Sequence, residues 1–120
     1  MSDVTIYHNP RCSKSRQTLQ LLEKRLEKQG GKPDIVLYLE TPPDRDTLAA
    51  IINKLGIPVR GLLRTGEQEY RDNALENPAL DDEALLDAMV RWPGLIQRPI
   101  VVKGNKARIG RPPEAVLEIL

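Results

Sequence analysis

Apolar and polar positions follow two different periods in the first forty residues. Residues 4–7 form a short β-prone run that is closed by the turn-like tripeptide at 8–10, where Pro10 disfavours helix at the preceding residue. A helical period follows from Ser13 to near residue 30, and residues 35–39 form an apolar run that suits a strand buried on both faces. This order predicts a strand–helix–strand unit with a parallel strand pair and a right-handed crossover.

The middle of the chain is predicted to be helical. Residues 44–55 carry the clearest amphipathic pattern, and Gly56 is placed to end that helix. Residues 59–64 suit a short helical turn, and 65–66 a loop. A further helix is predicted over about 81–92, because its acidic start complements the helix dipole and Pro93 ends it.

Two short strands and a helix are predicted at the carboxyl end. The apolar runs at 99–102 and 107–109 flank a Gly-Asn turn, which indicates a β-hairpin. Pro112-Pro113 is predicted to open a last helix. The sequence therefore predicts one α/β domain over residues 1–120, with a helical insertion at about 44–95.

Composition narrows the class of protein without identifying it. The chain has 120 residues, 18 basic and 17 acidic side chains, and 40% hydrophobic residues. The near balance of charge gives no reason to expect nucleic-acid or membrane binding, and no apolar run reaches the roughly 20 residues that a membrane span needs. The amino terminus lacks the basic and apolar regions of a signal peptide, so a cytoplasmic location is expected.

Cys12, the only cysteine, is the candidate for chemistry. A lone cysteine is more often an inert small side chain in a core. This one is predicted at a helix start, where backbone N–H groups and the helix dipole favour a thiolate. The cationic neighbours Arg11, Lys14 and Arg16, with His8 one turn before, lower a thiol pKa in the same way. The pattern predicts that Cys12 is a nucleophile.

The same helix start suits an oxyanion, so two kinds of chemistry stay open. One is thiolate attack on a tetrahedral oxyanion, and the other is exchange with an anionic thiol such as glutathione. Ser15 stands where a dithiol oxidoreductase has its second cysteine, and Thr18 where a phosphatase-type loop has arginine. Any redox turnover therefore needs a thiol from outside the chain.

Five segments, in order along essentially the whole chain, resemble the glutaredoxin-coupled arsenate reductase family of the ArsC/Spx superfamily. The resemblance implies a thioredoxin-like fold with a helical insertion. The segments are residues 7–16 (YHNPRCSKSR), 37–40 (LYLE), 62–64 (LLR), 98–102 (RPIVV) and 108–112 (RIGRP).

The resemblance also implies roles for single residues. Cys12 corresponds to the family nucleophile, His8 to a histidine that supports its reactivity, and Ser15 to a hydroxyl that helps to hold the thiolate. Pro99 corresponds to a proline that follows a cis peptide bond beside the active site. The arginines that surround the oxyanion in the family correspond to Arg64, Arg98 and Arg111.

The mechanism implied is arsenate reduction. Cys12 attacks arsenic(V) and displaces water, glutathione adds and reduces the adduct, glutaredoxin resolves the mixed species, and arsenite leaves. Arsenate or a similar oxyanion, glutathione as co-substrate and glutaredoxin are the expected partners. No bound cofactor, metal, nucleic acid or membrane is expected.

Alternative interpretations stay open. Taken by itself, Arg64 also fits a solvated charge at the end of a helix. Arg98 or Arg111 also fits a charge at the edge of a hairpin, where it discourages aggregation. The chain also suits a glutathione-dependent reductase of another substrate, because Arg11 and Lys14 flank the thiol where well-known arsenate reductases carry small or neutral residues. A non-enzymatic Spx-like regulator is the third alternative, against which Ser15 and the full arginine set both argue.

Overall fold

A four-stranded mixed sheet organises the first of two compact units in the computed structural model, which describes residues 3–120. This unit comprises Met1–Thr41 and Arg98–Leu120. Its elements are β1 (Val4–His8), α1 (Ser13–Glu27), β2 (Asp34–Leu37), β3 (Ile100–Lys103), β4 (Lys106–Ile109) and a 3₁₀ helix at Pro113–Ile119. The strand order is β2-β1-β3-β4, with β1 parallel to β2 and antiparallel to β3.

Strand β1 lies inside the sheet between β2 and β3, and its residues alternate between a buried face and a partly exposed one. Val4 and Ile6 are completely buried, as the period of two along a strand requires. His8, the last residue of β1, is paired in register with Leu37, the last residue of β2. Both parallel strands therefore end at the same edge of the sheet, which is where open α/β sheets usually bind ligands.

Helix α1 and the final 3₁₀ helix pack against the sheet and close the core of this unit. Each fully buried aliphatic side chain stabilises the folded state by roughly 1.5–3 kcal/mol. The buried cluster consists of Val4, Ile6, Leu22, Leu26, Val101, Val116 and Ile119.

The second unit spans Pro42–Gln97 and is helical. Its two longer helices begin at aspartates whose carboxylates accept backbone N–H groups: Asp44 from Thr47 (2.8 Å) and Asp81 from Ala84 (2.9 Å). The elements are α2 (Arg45–Leu55), a 3₁₀ turn at Val59–Leu62, α3 (Gln68–Asp72), α4 (Asp82–Arg91) and a 3₁₀ turn at Pro93–Leu95. Gly56 ends α2 in the left-handed conformation, with φ of 71°.

The α/β class and the predicted order of the main elements are confirmed, with two local corrections. β2 is an edge strand rather than one buried on both faces, and Ile35 is 47% exposed. The short helix α3 was not predicted, because no residue in it is buried and it has no apolar period. The last helix is present and is of the 3₁₀ type. None of the helices within residues 3–120 is long and apolar enough to cross a membrane.

Gly110 directly follows strand β4 at a position that has no room for a side chain. A Cβ at this position would lie 2.6 Å from Thr18 Oγ1 and 2.8 Å from Pro99 Cγ. We expect Gly110→Ala to lower the free energy of unfolding by about 1–3 kcal/mol, the usual cost of overpacking. Urea denaturation measures this, with Gly66→Ala as the control, because nothing lies within 4 Å of a Cβ there. Equal effects of the two substitutions would contradict the packing argument.

Candidate active site

Cys12 is the N-cap residue of helix α1. Its backbone is extended, with φ −95° and ψ 124°. Its N–H donates to the Asn9 carbonyl (3.0 Å), and its carbonyl accepts from the N–H of Arg16 (3.0 Å). The side chain of Asn9 accepts from the N–H of Arg11 (3.0 Å). The chain between β1 and α1 is thus a tight turn that presents the sulfur at a helix amino terminus.

A buried pair of side chains holds this turn. Ser15 is completely buried, and its Oγ lies 2.6 Å from Nδ1 of His8. The same oxygen accepts the backbone N–H of Asn9 at 3.0 Å. The hydroxyl still has its proton and a second lone pair, so it can donate to Nδ1 or accept from it, according to the tautomer of His8. His8 and Ser15 therefore connect the end of β1 to the first turn of α1.

His8 stays neutral under ordinary conditions. Burial lowers its pKa, and the positive charge of Arg16 lowers it further, while Glu23 offsets part of the effect. A neutral ring has one nitrogen that donates and one that accepts, and the contact with Ser15 engages Nδ1 in one of these two roles.

The Cys12 thiol has a lowered pKa although burial acts in the opposite direction. Burial raises the pKa, but the backbone N–H of Ser15, the side chain of Arg98 and the backbone N–H of Lys14 together outweigh it. The N–H groups of Lys14 and Ser15 lie in the first turn of α1, at the positive end of the helix dipole. The cationic residue that matters most to the thiol is thus Arg98, remote in sequence.

Two of the three predicted arginines lie with Cys12 in the first unit. Nη2 of Arg111 lies 3.8 Å from the sulfur, and its Nε donates to the Arg98 carbonyl at 2.8 Å. Arg98 acts on the charge of Cys12 directly. The Arg98–Pro99 peptide is cis, as the family resemblance implies, and Arg111–Pro112 is cis as well.

Arg64, the third predicted arginine, belongs to the second unit. Its backbone N–H donates to the Leu95 carbonyl (2.7 Å). The preceding residue, Leu63, forms an isolated antiparallel β-bridge with Ile96. Nε of Arg64 lies 3.1 Å from Oε1 of Glu67, and its side chain is 24% exposed. The role of Arg64 at an oxyanion stays a prediction.

Two residues to which the sequence reasoning gave no role contribute to the site. The first is Asn9, which shapes the turn. Tyr38 follows β2 with its side chain buried, and Arg98, Asn9 and Cys12 all act on its hydroxyl. The position of Tyr38 at the end of a parallel strand was the available signal.

The arrangement combines a thiolate with guanidinium groups that can bind an anion beside it. Such a site can hold a tetrahedral oxyanion and attack its central atom. Within residues 3–120, no group of three or more His, Cys, Asp or Glu side chains is arranged to hold a metal ion.

The pKa of Cys12 can be measured by alkylation. Because the thiolate is the reactive form, the iodoacetamide rate should rise with pH through a midpoint below the ordinary value for cysteine. Arg98→Gln should move that midpoint upward, because it removes a positive charge that favours the thiolate. Arg108→Gln, which breaks the exposed pair with Glu118 (3.0 Å), is the control and should leave the midpoint unchanged. A wild-type midpoint at or above the ordinary value would refute the assignment.

Comparisons of the whole chain with known proteins relate it to one family of α/β proteins. The ArsC family profile matches residues 7–119. An uncharacterized Escherichia coli K12 protein, YfgD, is 53% identical, over 98% of this chain and 96% of its own length. An arsenate reductase of Neisseria meningitidis is 46% identical over the full length of both chains. The solved arsenate reductase of Vibrio cholerae is 50% identical, with a TM-score of 0.90 and coverage of 98% and 97%.

The chain belongs to the ArsC family. The predicted thioredoxin-like α/β fold is confirmed by the same comparisons.

Proposed function

We propose that the protein is an arsenate reductase that converts arsenate to arsenite through the Cys12 thiolate, with glutathione and glutaredoxin as reductants. The observation that carries the proposal is the sulfur at the start of α1, with a lowered pKa and with Arg98 and Arg111 beside it. Arsenate reductases at 46% and 50% identity over nearly the whole chain support the choice of oxyanion.

In the first step the Cys12 sulfur attacks arsenic(V). A sulfur–arsenic bond forms, and an arsenic–oxygen bond breaks as one hydroxyl takes a proton and leaves as water. Guanidinium groups of Arg98 and Arg111 neutralise the oxygens, with Arg64 as the proposed third donor. Their fixed positive charge stabilises the negative charge that builds up on those oxygens.

The two electrons come from external thiols, because the chain has one cysteine. Glutathione displaces a second hydroxyl from arsenic as water and forms a second sulfur–arsenic bond. The glutaredoxin thiolate then attacks the glutathione sulfur, and the electron pair of that sulfur–arsenic bond passes to arsenic, which becomes arsenic(III). Water cleaves the remaining bond to Cys12 and releases arsenite. The products are a glutathione–glutaredoxin disulfide and the free thiol.

His8 and Ser15 serve this chemistry as positioning residues. The contact of 2.6 Å between them fixes the turn, so the backbone N–H groups of the first helical turn stay directed toward the sulfur. We place the protein in the cytoplasm, where glutathione keeps thiols reduced.

A coupled assay tests the proposal. The purified protein is mixed with glutathione, glutaredoxin, glutathione reductase and NADPH, and NADPH oxidation is followed after arsenate is added. We expect consumption that depends on arsenate, with one arsenite formed per NADPH. It should stop when glutathione or glutaredoxin is left out. Consumption no faster with arsenate than without it would reject the function, and turnover without glutaredoxin would reject only the reductant.

A second candidate is a glutathione-dependent reductase of another substrate. The exposed Arg11 and Lys14 beside the thiol favour it, because they are available to dock an anionic thiol or its disulfide. In the same assay, consumption with a glutathione mixed disulfide but not with arsenate would select this alternative.

A further inference from the structure

Tyr38 is buried at the edge of the sheet where β1 and β2 end. It directly follows Leu37, the register partner of His8. The Leu37 carbonyl accepts the N–H groups of Glu40 (3.0 Å) and Thr41 (2.9 Å), so the chain turns immediately after Tyr38. Only 1% of the residue is exposed to solvent. The turn thus follows directly on a large aromatic residue that is almost completely buried.

The hydroxyl of Tyr38 makes no hydrogen bond with any of the described residues. A buried polar group without a partner costs about 1–3 kcal/mol, and such groups are few in folded proteins. A phenylalanine would fill the same space without that cost. The hydroxyl therefore does not stabilise the fold, and its presence needs another explanation.

The groups around this hydroxyl belong to the candidate active site. Burial raises the pKa of Tyr38, and the nearby Arg98 and Asn9 offset part of that effect, while the Cys12 thiolate adds to it. The phenol is thus kept protonated and able to donate.

We propose that the Tyr38 hydroxyl donates a hydrogen bond to the tetrahedral oxyanion held beside Cys12 by Arg98 and Arg111. The proposal extends the proposed function by adding a neutral donor to the cationic ones. An anion oxygen supplies the acceptor that the buried hydroxyl lacks. A neutral donor also adds no further charge to the site, so the bound anion gains a directed contact without new repulsion among the arginines.

Anion affinity without chemistry is the first test. In the Cys12→Ser background, which removes the covalent step, the dissociation constants of arsenate and inorganic phosphate are measured by calorimetry with and without Tyr38→Phe. Loss of a hydrogen bond to a charged group should weaken both by about 10- to 100-fold. Tyr70→Phe is the matched control, because Tyr70 lies half-exposed on α3, and it should change neither constant.

Three further measurements separate this role from a structural one. With Cys12 present, Tyr38→Phe should lower kcat/KM for arsenate by a similar factor. Its melting temperature without anion should be equal to or higher than that of the wild type, because an unpartnered hydroxyl is removed. The pH midpoint of Cys12 alkylation should change little, because the hydroxyl is proposed to act on the anion.

Unchanged anion affinity in Tyr38→Phe overturns the proposal. So does a lower melting temperature, which would mean that the hydroxyl has a structural partner. If arsenate turnover is absent but phosphate affinity still depends on Tyr38, the reductase function fails and this inference holds. If turnover is present and indifferent to Tyr38, the inference fails and the function holds.

Discussion

Cys12→Ser is expected to lower arsenate turnover by about 1000-fold or more. The hydroxyl of serine titrates far above the pH of the assay, so the stabilisation that the N–H groups of α1 and Arg98 give to a thiolate is not enough to ionise it. A neutral hydroxyl is also a much weaker nucleophile than a thiolate. Arsenite formed in the coupled assay, measured against the wild type, gives the ratio directly.

The loss must come from the sulfur and not from the fold. Cys12 is partly exposed and is not among the buried core residues, so the melting temperature of Cys12→Ser should match that of the wild type. Circular dichroism and thermal melting are therefore measured on both. A folded variant that keeps more than a tenth of the wild-type turnover would show that Cys12 is not the nucleophile.

Arg111→Gln is expected to lower kcat/KM for arsenate by about 100-fold, the usual effect of removing one donor to a developing oxyanion. Its guanidinium uses Nε on the Arg98 carbonyl (2.8 Å) and turns Nη2 toward the sulfur at 3.8 Å. A lysine keeps the charge but has a single nitrogen, which cannot make both contacts. Arg111→Lys should therefore fall between the wild type and Arg111→Gln.

Arg108→Gln is the matched control for that series. Arg108 lies on β4, near Arg111 in sequence, and its Nε contacts Oε2 of Glu118 at 3.0 Å on an exposed surface. Exposed ion pairs contribute about 0–1 kcal/mol, so both stability and turnover should stay close to wild type. Equal losses in Arg108→Gln and Arg111→Gln would mean that net charge matters and the position of the guanidinium does not.

The sequence predicted those parts of the fold and site that local patterns determine. The apolar period of α2, with a helix start near Asp44 and Gly56 after it, identified that helix and the residue that ends it. The position of Cys12 at the start of α1 also follows from neighbouring residues, because a β-prone run and a proline precede a helical period. Local chemistry was therefore enough to propose a thiolate.

Contacts between distant segments could not be predicted in the same way. The apolar run that contains Ile35 looked like a doubly buried strand, but an edge position leaves that side chain 47% exposed. The lowered pKa of Cys12 depends on Arg98, 86 positions away by the numbering, which only the pairing of β1 with β3 brings near. Only the family resemblance pointed to Arg98 before the sheet was seen.

Several hydrogen bonds that hold the turn carrying Cys12 do not involve its sulfur. They run from the Cys12 N–H to the Asn9 carbonyl, from the Arg16 N–H to the Cys12 carbonyl, and from Asn9 to the hydroxyl of Ser15. Sγ therefore can pass from free to arsenic-bound and back while the turn keeps every one of these bonds. Because these bonds do not use Sγ, we expect the turn to present the sulfur in the same place at the start of each catalytic cycle.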